Sequence, residues 1–139
     1  MKNNIEEIIK IFGKRLIKVS RDYTISIVLS ELKDQRLPIV IQKIIGSFSE
    51  EQCKAMIYLL ISAVDKTFHD TLWSIESYPE YKIIVNNDNE IIDIDDSLNE
   101  LIGAGLTGAA LEFIDEYSKY NTADDFLETG KLEKEPIDK

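Results

Sequence analysis

Four carboxylates close together are the first candidates for chemistry in this sequence: Asp93, Asp95, Asp96 and Glu100. Carboxylate oxygens are the ligands that Ca²⁺ and Mg²⁺ prefer in proteins. The spacing does not fit a calcium loop of the EF-hand type, because that loop needs glycine at its sixth position and Leu98 stands there if counting starts at Asp93. We therefore expect no metal site, and we interpret these side chains as favourable negative charge at a helix N-terminus.

The segment Gly103-Ala104-Gly105-Leu106-Thr107-Gly108 matches the dinucleotide motif G-x-G-x-x-G letter for letter. That motif binds a pyrophosphate when it follows a strand, opens a helix and belongs to a larger βαβ domain. Here a helical turn is predicted before it, only 31 residues follow it, and nearby aspartates would repel a phosphate. We expect no nucleotide or other cofactor, and we interpret the segment as a joint between two helices.

Cys53 and His69 are the only cysteine and histidine in the sequence. A single cysteine forms no internal disulfide, which fits a reducing compartment, and a single histidine excludes a multi-histidine zinc site. His69 lies in a stripe with helical spacing: Tyr58, Ser62, Asp65, His69, Trp73 and Glu76. We expect this stripe to pack on the C-terminal half, with Asp65 bonded to His69 and Trp73 buried beside a hairpin. The alternative is an exposed recognition surface.

The N-terminal half is predicted to be helical, and its helices must help to position the carboxylates and the His69 stripe. Apolar residues spaced by three and four predict a first helix through Leu16 and a second over 25–32, with Ser20 or Asp22 as its N-cap. The alternation of apolar and polar residues over 24–30 also suits a strand, which remains the alternative for this segment.

A long central helix is the strongest local prediction. Pro38 fits the first turn of a short helix before it, which Gly46 would end. Ser49 and Gln52 then form a capping box, and no glycine or proline follows until Pro79. The helix between them would be roughly 40 Å long.

After the central helix the apolar period changes from 3.6 to 2. Two short apolar runs, 81–85 and 90–94, flank an Asn/Asp-rich stretch, 86–89, and this arrangement predicts a β-hairpin with a four-residue loop.

Capping boxes and glycines predict the last elements. Ser97 with Glu100 would open one helix, a second is predicted over 109–120, and Thr122 would cap a third. We predict an α+β, mostly α fold: one helical domain over 1–130, built on a long central helix with a β-hairpin and C-terminal helices. A disordered acidic and polar tail is predicted over 131–139.

Charge is distributed very unevenly along the chain. Residues 76–139 contain 17 Asp and Glu against 5 Lys, whereas residues 1–75 contain 9 acidic and 11 basic side chains, and the whole chain has a net charge of −10. A field of this sign repels nucleic acid and attracts a basic protein. No signal peptide and no apolar run long enough for a membrane helix is evident, so we expect a soluble, cytoplasmic protein with no membrane partner.

Two segments resemble a known class of proteins. Thr67-Phe68-His69-Asp70-Thr71-Leu72-Trp73, and Gly105-Leu106-Thr107-Gly108 with Glu116-Tyr117-Ser118-Lys119-Tyr120 after it, are similar to segments of small, acidic, helix-rich bacterial proteins of the toxin-immunity type. The similarity covers about half of the chain and includes no catalytic signature. It implies a single-domain protein that binds and blocks a cognate toxin.

Together these patterns predict a non-enzymatic acidic protein that neutralises a basic partner such as a toxin nuclease. The expected partner-binding residues are Trp73, Tyr78, Tyr81, Asp93, Asp95, Asp96, Glu100, Glu112, Asp115 and Glu116. Two alternatives remain open. One is a carboxylate-based, metal-dependent hydrolase, and the other is a structural helical protein; a homo-oligomer is compatible with each of them.

Overall fold

The computed structural model describes the backbone of residues 2–136 and the side chains of residues 4–136. The predicted class is confirmed: the fold is α+β and mostly helical, with a two-stranded antiparallel hairpin and a long helix. The elements are α1 (Lys2–Leu16), a π-helical segment (Ile17–Asp22), α2 (Tyr23–Lys33), α3 (Ile39–Gly46), α4 (Glu50–Ser77), β1 (Ile84–Asn87), β2 (Glu90–Asp93), α5 (Ile94–Ile102), α6 (Leu106–Tyr117) and α7 (Ala123–Thr129).

α1, the π-helical segment and α2 form one continuous helical rod. The predicted N-cap at Ser20 or Asp22 is wrong, because the Ser20 hydroxyl donates back to the Leu16 carbonyl and Asp22 is itself helical. The strand alternative for 24–30 is also wrong. Buried positions recur every four residues along the rod: Ile9, Gly13, Ile17, Arg21 and Ile25. The wider turn of a π-helix, with its i→i+5 hydrogen bonds, helps to keep this spacing on one face.

α4 is the predicted central helix, and its 28 residues make it about 42 Å long. The predicted capping box is confirmed, since the Ser49 hydroxyl accepts from the Gln52 amide and the Gln52 side chain accepts from the Ser49 amide. Its buried side chains are Ile61, Phe68 and Leu72. Within residues 2–136, no helix combines the length and hydrophobicity needed to span a membrane.

The predicted hairpin is confirmed, but its loop is shorter than expected. Asn87 pairs with Glu90, so that only Asp88 and Asn89 form the turn. Both turn residues have positive φ, 45° and 78°, as a type I′ turn requires, and this turn matches the twist of the strands. Residues 86 and 87, predicted as loop, therefore belong to β1.

The helices of the C-terminal half begin earlier than their sequence patterns predict. Asp93, not Ser97, is the N-cap of α5, and its side chain accepts from the Asp96 amide. α6 begins at Leu106 because Gly105 is its N-cap. The predicted Thr122 cap of α7 is confirmed, since its side chain accepts from the Asp125 amide.

Two hydrophobic clusters hold the elements together. The larger contains buried residues of α1, the π-helical segment, α4, α5 and α6: Ile9, Ile17, Phe68, Leu72, Ile94, Leu98, Leu106, Ala109, Ala110, Phe113 and Ile114. The smaller joins α4 to α7 through Ile61, Ala123 and Phe126, with Leu132 packed against them. α4 therefore serves both clusters, as a central helix should.

The segment after α7 packs on the fold instead of forming the predicted disordered tail over its first six residues. Glu133 forms an antiparallel bridge with Tyr120, and the Lys134 amide donates to the Lys119 carbonyl. The Lys134 ammonium donates to the carbonyls of Ile114 and Asp115 at the end of α6. The rest of the predicted tail, 137–139, lies outside the described residues.

Candidate functional site

An acid-rimmed groove lies between α1, α5 and α6, and we call it the acidic groove. It has a volume of about 280 Å³. Its apolar lining consists of Ile9, Leu98, Leu101, Ile102, Phe113 and Tyr117, and its charged side chains are Glu6, Lys10, Glu112 and Glu116. Helical spacing explains the arrangement, because residues four apart share one face of a helix: Glu6 and Lys10 on α1, Glu112 and Glu116 on α6.

The charge of this groove is negative and largely uncompensated. Glu6, Glu112 and Glu116 are exposed, and none of them takes part in an ion pair among residues 4–136. Burial raises the pKa of the half-buried Tyr117 hydroxyl above its ordinary value, and the charge and hydrogen bonding of Glu116 and the charge of Glu7 raise it further. Such a groove favours a cation with apolar surface beside it.

Two of the three groove carboxylates, Glu112 and Glu116, were predicted from the sequence, whereas Glu6 was not. Glu6 lies at the opposite end of the chain from α6, and only the packing of α1 on α5 and α6 brings it to the groove. Its four-residue spacing from Lys10 gave no indication of this role. The predicted residues Glu100 and Asp115 are exposed on α5 and α6 but do not line the groove.

Among the other predicted carboxylates, Asp93 makes structural contacts at the start of α5. Asp93 caps the helix and pairs with Lys82 at 2.7 Å. The hydrogen bond from Lys82 lowers the pKa of the Asp93 carboxyl, while burial opposes the shift. In return, Asp93 raises the pKa of the Lys82 ammonium. Asp96 is exposed. This cluster thus fulfils the expected role of negative charge at a helix N-terminus.

Two carboxylates occupy the anion position at the N-terminus of α6. The Leu106 amide donates to Asp95 Oδ1 at 2.9 Å, and the Thr107 amide and hydroxyl donate to Glu76 Oε2. Gly105 lies so close to them that a Cβ atom there would stand 1.8 Å from Glu76 Oε1. The glycine-rich segment is a joint between two helices, as expected, and the amides that would cradle a phosphate already bind protein carboxylates.

The aromatic residues near the hairpin are exposed. Tyr78 and Tyr81 meet edge to face, with ring centroids 6.3 Å apart. Trp73 is 56% exposed, so the expectation that it is buried beside the hairpin is wrong. The expected bond between Asp65 and His69 is also wrong, because His69 contacts Asp70 at 3.2 Å instead. The stripe therefore does not pack as one face.

Asp65 instead belongs to a buried polar network that sequence analysis missed. The guanidinium of Arg21, in the π-helical segment, is fully buried; its Nε donates to Asp65 Oδ1 at 2.5 Å and its Nη2 donates to Asp65 Oδ2 at 3.2 Å. Its remaining donors reach the Ser118 hydroxyl and the carbonyls of Tyr120 and Asn121. The available signal was an arginine in the four-residue spacing of a buried stripe. The network is a structural clamp, since all its polar groups are bonded within the protein.

Within the described residues, no three His, Cys, Asp or Glu side chains are grouped so that they could hold a metal ion. The acidic groove therefore stands as the site that combines predicted residues, negative charge and an apolar lining. No family model matches the chain, and comparison with curated proteins and with solved structures gives no match.

Proposed function

We propose that this protein is a non-enzymatic binding protein that captures a basic protein partner, such as a toxin nuclease, in the acidic groove. The observation that supports this most is the composition of the groove: an apolar lining beside three carboxylates and one ammonium group. The net charge of −10 acts in the same direction at long range.

The lining specifies what the partner must present. A side chain that enters a space of about 280 Å³ walled by Leu98, Leu101 and Phe113 has to be apolar or have an apolar stem. Carboxylates at the rim favour Arg or Lys next to it, since Arg binds carboxylates in bidentate geometry and long cationic side chains lay their methylenes on apolar surface. A basic amphipathic segment meets both requirements.

A nuclease suits this description because its active site has to be positive to hold phosphates. An acidic protein that covers such a site is steered to it by charge, which raises the association rate more than the final affinity. The exposed aromatic side chains Trp73, Tyr78 and Tyr81 remain proposed as anchors outside the groove, since Trp and Tyr dominate the energetics of many interfaces.

The test removes two groove charges without touching a helix cap. Glu112→Gln with Glu116→Gln neutralises one wall, whereas reversal of Asp93 or Asp95 would also break the caps of α5 and α6. The control, Asp124→Asn with Glu128→Gln, removes two exposed charges from α7, away from the groove.

The basic partner is first isolated by affinity capture on the parent protein and then purified. Association and dissociation rates are measured by stopped flow at several salt concentrations. We expect the groove variant to associate more slowly than parent and control at low salt, with the difference shrinking as the Debye length falls to about 8 Å at 0.15 M. If the parent captures no basic protein, or if the groove variant associates at the parent rate at every salt concentration, the proposal is wrong.

A further inference from the structure

α3 is an apolar helix that the described fold leaves uncovered. Five of its eight residues are aliphatic: Ile39, Val40, Ile41, Ile44 and Ile45. None of its residues is buried; Ile39 is 72% exposed, Val40 59% and Ile44 50%. Contiguous exposed apolar surface of this kind on a protein marks an interaction site.

The one uncharged polar side chain of α3, Gln42, already has hydrogen-bond partners. The Gln42 side-chain amide donates to the carbonyls of Gln35 and Leu37, in the connection before the helix. Among the described residues, neither hydrophobic cluster includes a residue of α3, so the helix lies outside the core that these residues form. What remains for a partner is the row of aliphatic side chains and one ammonium group, Lys43.

We propose that α3 is the surface through which two copies of this chain associate. The charges of α3 and of the whole chain distinguish between the partners that an apolar helix could bind: a lipid surface, a basic protein or a second copy of this chain. A lipid surface is disfavoured, because interfacial helices carry several Lys or Arg residues on their polar face, whereas α3 carries only Lys43 and the chain as a whole is acidic. A basic protein attracted by the acidic field would bind the carboxylates of the C-terminal half and not this helix.

A second copy fits the charge pattern. The C-terminal halves of two copies repel each other, since each has 17 acidic and 5 basic side chains. Between residues 33 and 48 there are three cations and one carboxylate, and that carboxylate, Asp34, pairs with Arg36 at 2.8 Å. This stretch therefore has a net charge of +2, the opposite sign to the acidic C-terminal half, so two acidic molecules can meet on α3 without bringing those carboxylates face to face, and a two-fold arrangement would bury the same aliphatic row on both.

The size of the helix sets the strength of this contact. Eight residues make a helix about 12 Å long, which is too short to cover the roughly 800 Å² per partner of a standard interface. We therefore expect a reversible, concentration-dependent dimer, with Kd between about 1 μM and about 1 mM.

Sedimentation equilibrium of the purified chain over that concentration range tests the proposal. The parent mass should rise from 15.9 kDa towards twice that value. Val40→Lys with Ile44→Lys should hold the mass at one chain, because like charges would then face each other across the contact. Both positions are exposed, so the variant should fold, and its circular dichroism checks this. The control, Leu111→Lys with Ile91→Lys, makes the same change at apolar side chains that are 64% and 70% exposed on α6 and β2, and it should associate like the parent.

A parent that remains a single chain up to about 1 mM would overturn the proposal. A Val40→Lys/Ile44→Lys variant that associates as strongly as the parent would overturn it as well, because the contact would then lie elsewhere. Neither outcome depends on the acidic groove, so the proposed capture of a basic partner is tested separately.

Discussion

Asp65→Asn should destabilise this protein far more than its position on the central helix suggests. Arg21 is fully buried, and among the described residues it pairs with Asp65 at 2.5 Å and, more distantly, with Asp22 at 3.7 Å. The substitution keeps the shape but removes the charge, and it turns an amide N–H towards a guanidinium N–H where an oxygen now accepts. Removing one partner of a buried ion pair costs about 3–5 kcal/mol, because the other charge is left uncompensated.

The structure places the expected cost near the lower limit, about 3 kcal/mol. The Asp65 side chain is 23% exposed and Asp22 supplies some compensation, so that Arg21 is not left entirely without negative charge. For a chain of 139 residues this corresponds to a fall in Tm of about 10 °C. Urea unfolding, followed by far-UV circular dichroism, should show a midpoint lower by about 1–2 M with an unchanged m value.

Asp70→Asn is the matched control for this prediction. Asp70 lies on the same helix, makes an ion pair with Lys66 and contacts His69, but its side chain is exposed, so its loss should leave the midpoint close to that of the parent. Replacing both members of the pair, Arg21→Met with Asp65→Leu, should recover only part of the lost stability: the buried guanidinium is removed, but Asp22 and the carbonyls of Tyr120 and Asn121 lose a partner. An Asp65→Asn variant that unfolds at the parent's urea concentration would refute the argument that this pair is a clamp.

Two other substitutions test the carboxylate caps. Gly105→Ala should lower the free energy of unfolding by about 1 kcal/mol, because the added methyl group displaces Glu76 from the first turn of α6. The control is Gly46→Ala, which should be neutral or stabilising because no atom lies within 4 Å of the added methyl group. Thermal melts of the two variants compare them. Lys82→Gln should lower stability at neutral pH but not in strong acid. Because the pKa of Asp93 is lowered in the folded state, its contribution to the free energy of unfolding is present above pH 3.8 and is lost as the pH falls through the folded-state pKa. Because the pKa of Lys82 is raised, its contribution is present below pH 10.5 and is lost only at higher pH. Urea midpoints of parent and variant from pH 2 to pH 8 would contradict this if they differed by the same amount throughout.

Local signals in the sequence predicted the elements that local chemistry determines. The capping box at Ser49, the cap at Thr122 and the change of apolar period after Pro79 each depend on residues within a few positions of one another, and each prediction was confirmed. Two helix starts were predicted wrongly: for α5 the local Asp93 cap was overlooked in favour of Ser97, and for α6 the capping partners are distant. Gly105 caps α6 with carboxylates from positions 76 and 95, a relation that no local window contains.

The candidate site was likewise predicted only in part, because some of its residues are neighbours in sequence and others are not. Glu112 and Glu116 were predicted from charge alone, but their partner Glu6 is separated from them by more than 100 positions, and no periodicity links them. Trp73 was expected to be buried because it lies shortly before Pro79, where the helical period ends, and near Tyr78 and Tyr81; the fold leaves it exposed. The π-helical segment has no sequence signature, although Arg21 within a buried stripe was a visible sign of an unusual environment.

The connection between α6 and α7 is held from both directions along the chain. Arg21 reaches it from the first rod, with sequence separations of 97–100 residues, and the segment after α7 bridges it at Tyr120. Forming contacts this distant in sequence costs chain entropy for closing a long loop before the contacts stabilise the fold, so we expect them to form late in folding. Until they form, the guanidinium of Arg21 needs water, and the rod cannot bury its π-helical turn. We therefore expect the first rod to dock late, because its contacts with α5 and α6 in the large cluster and the Arg21 network both join residues that are far apart in sequence.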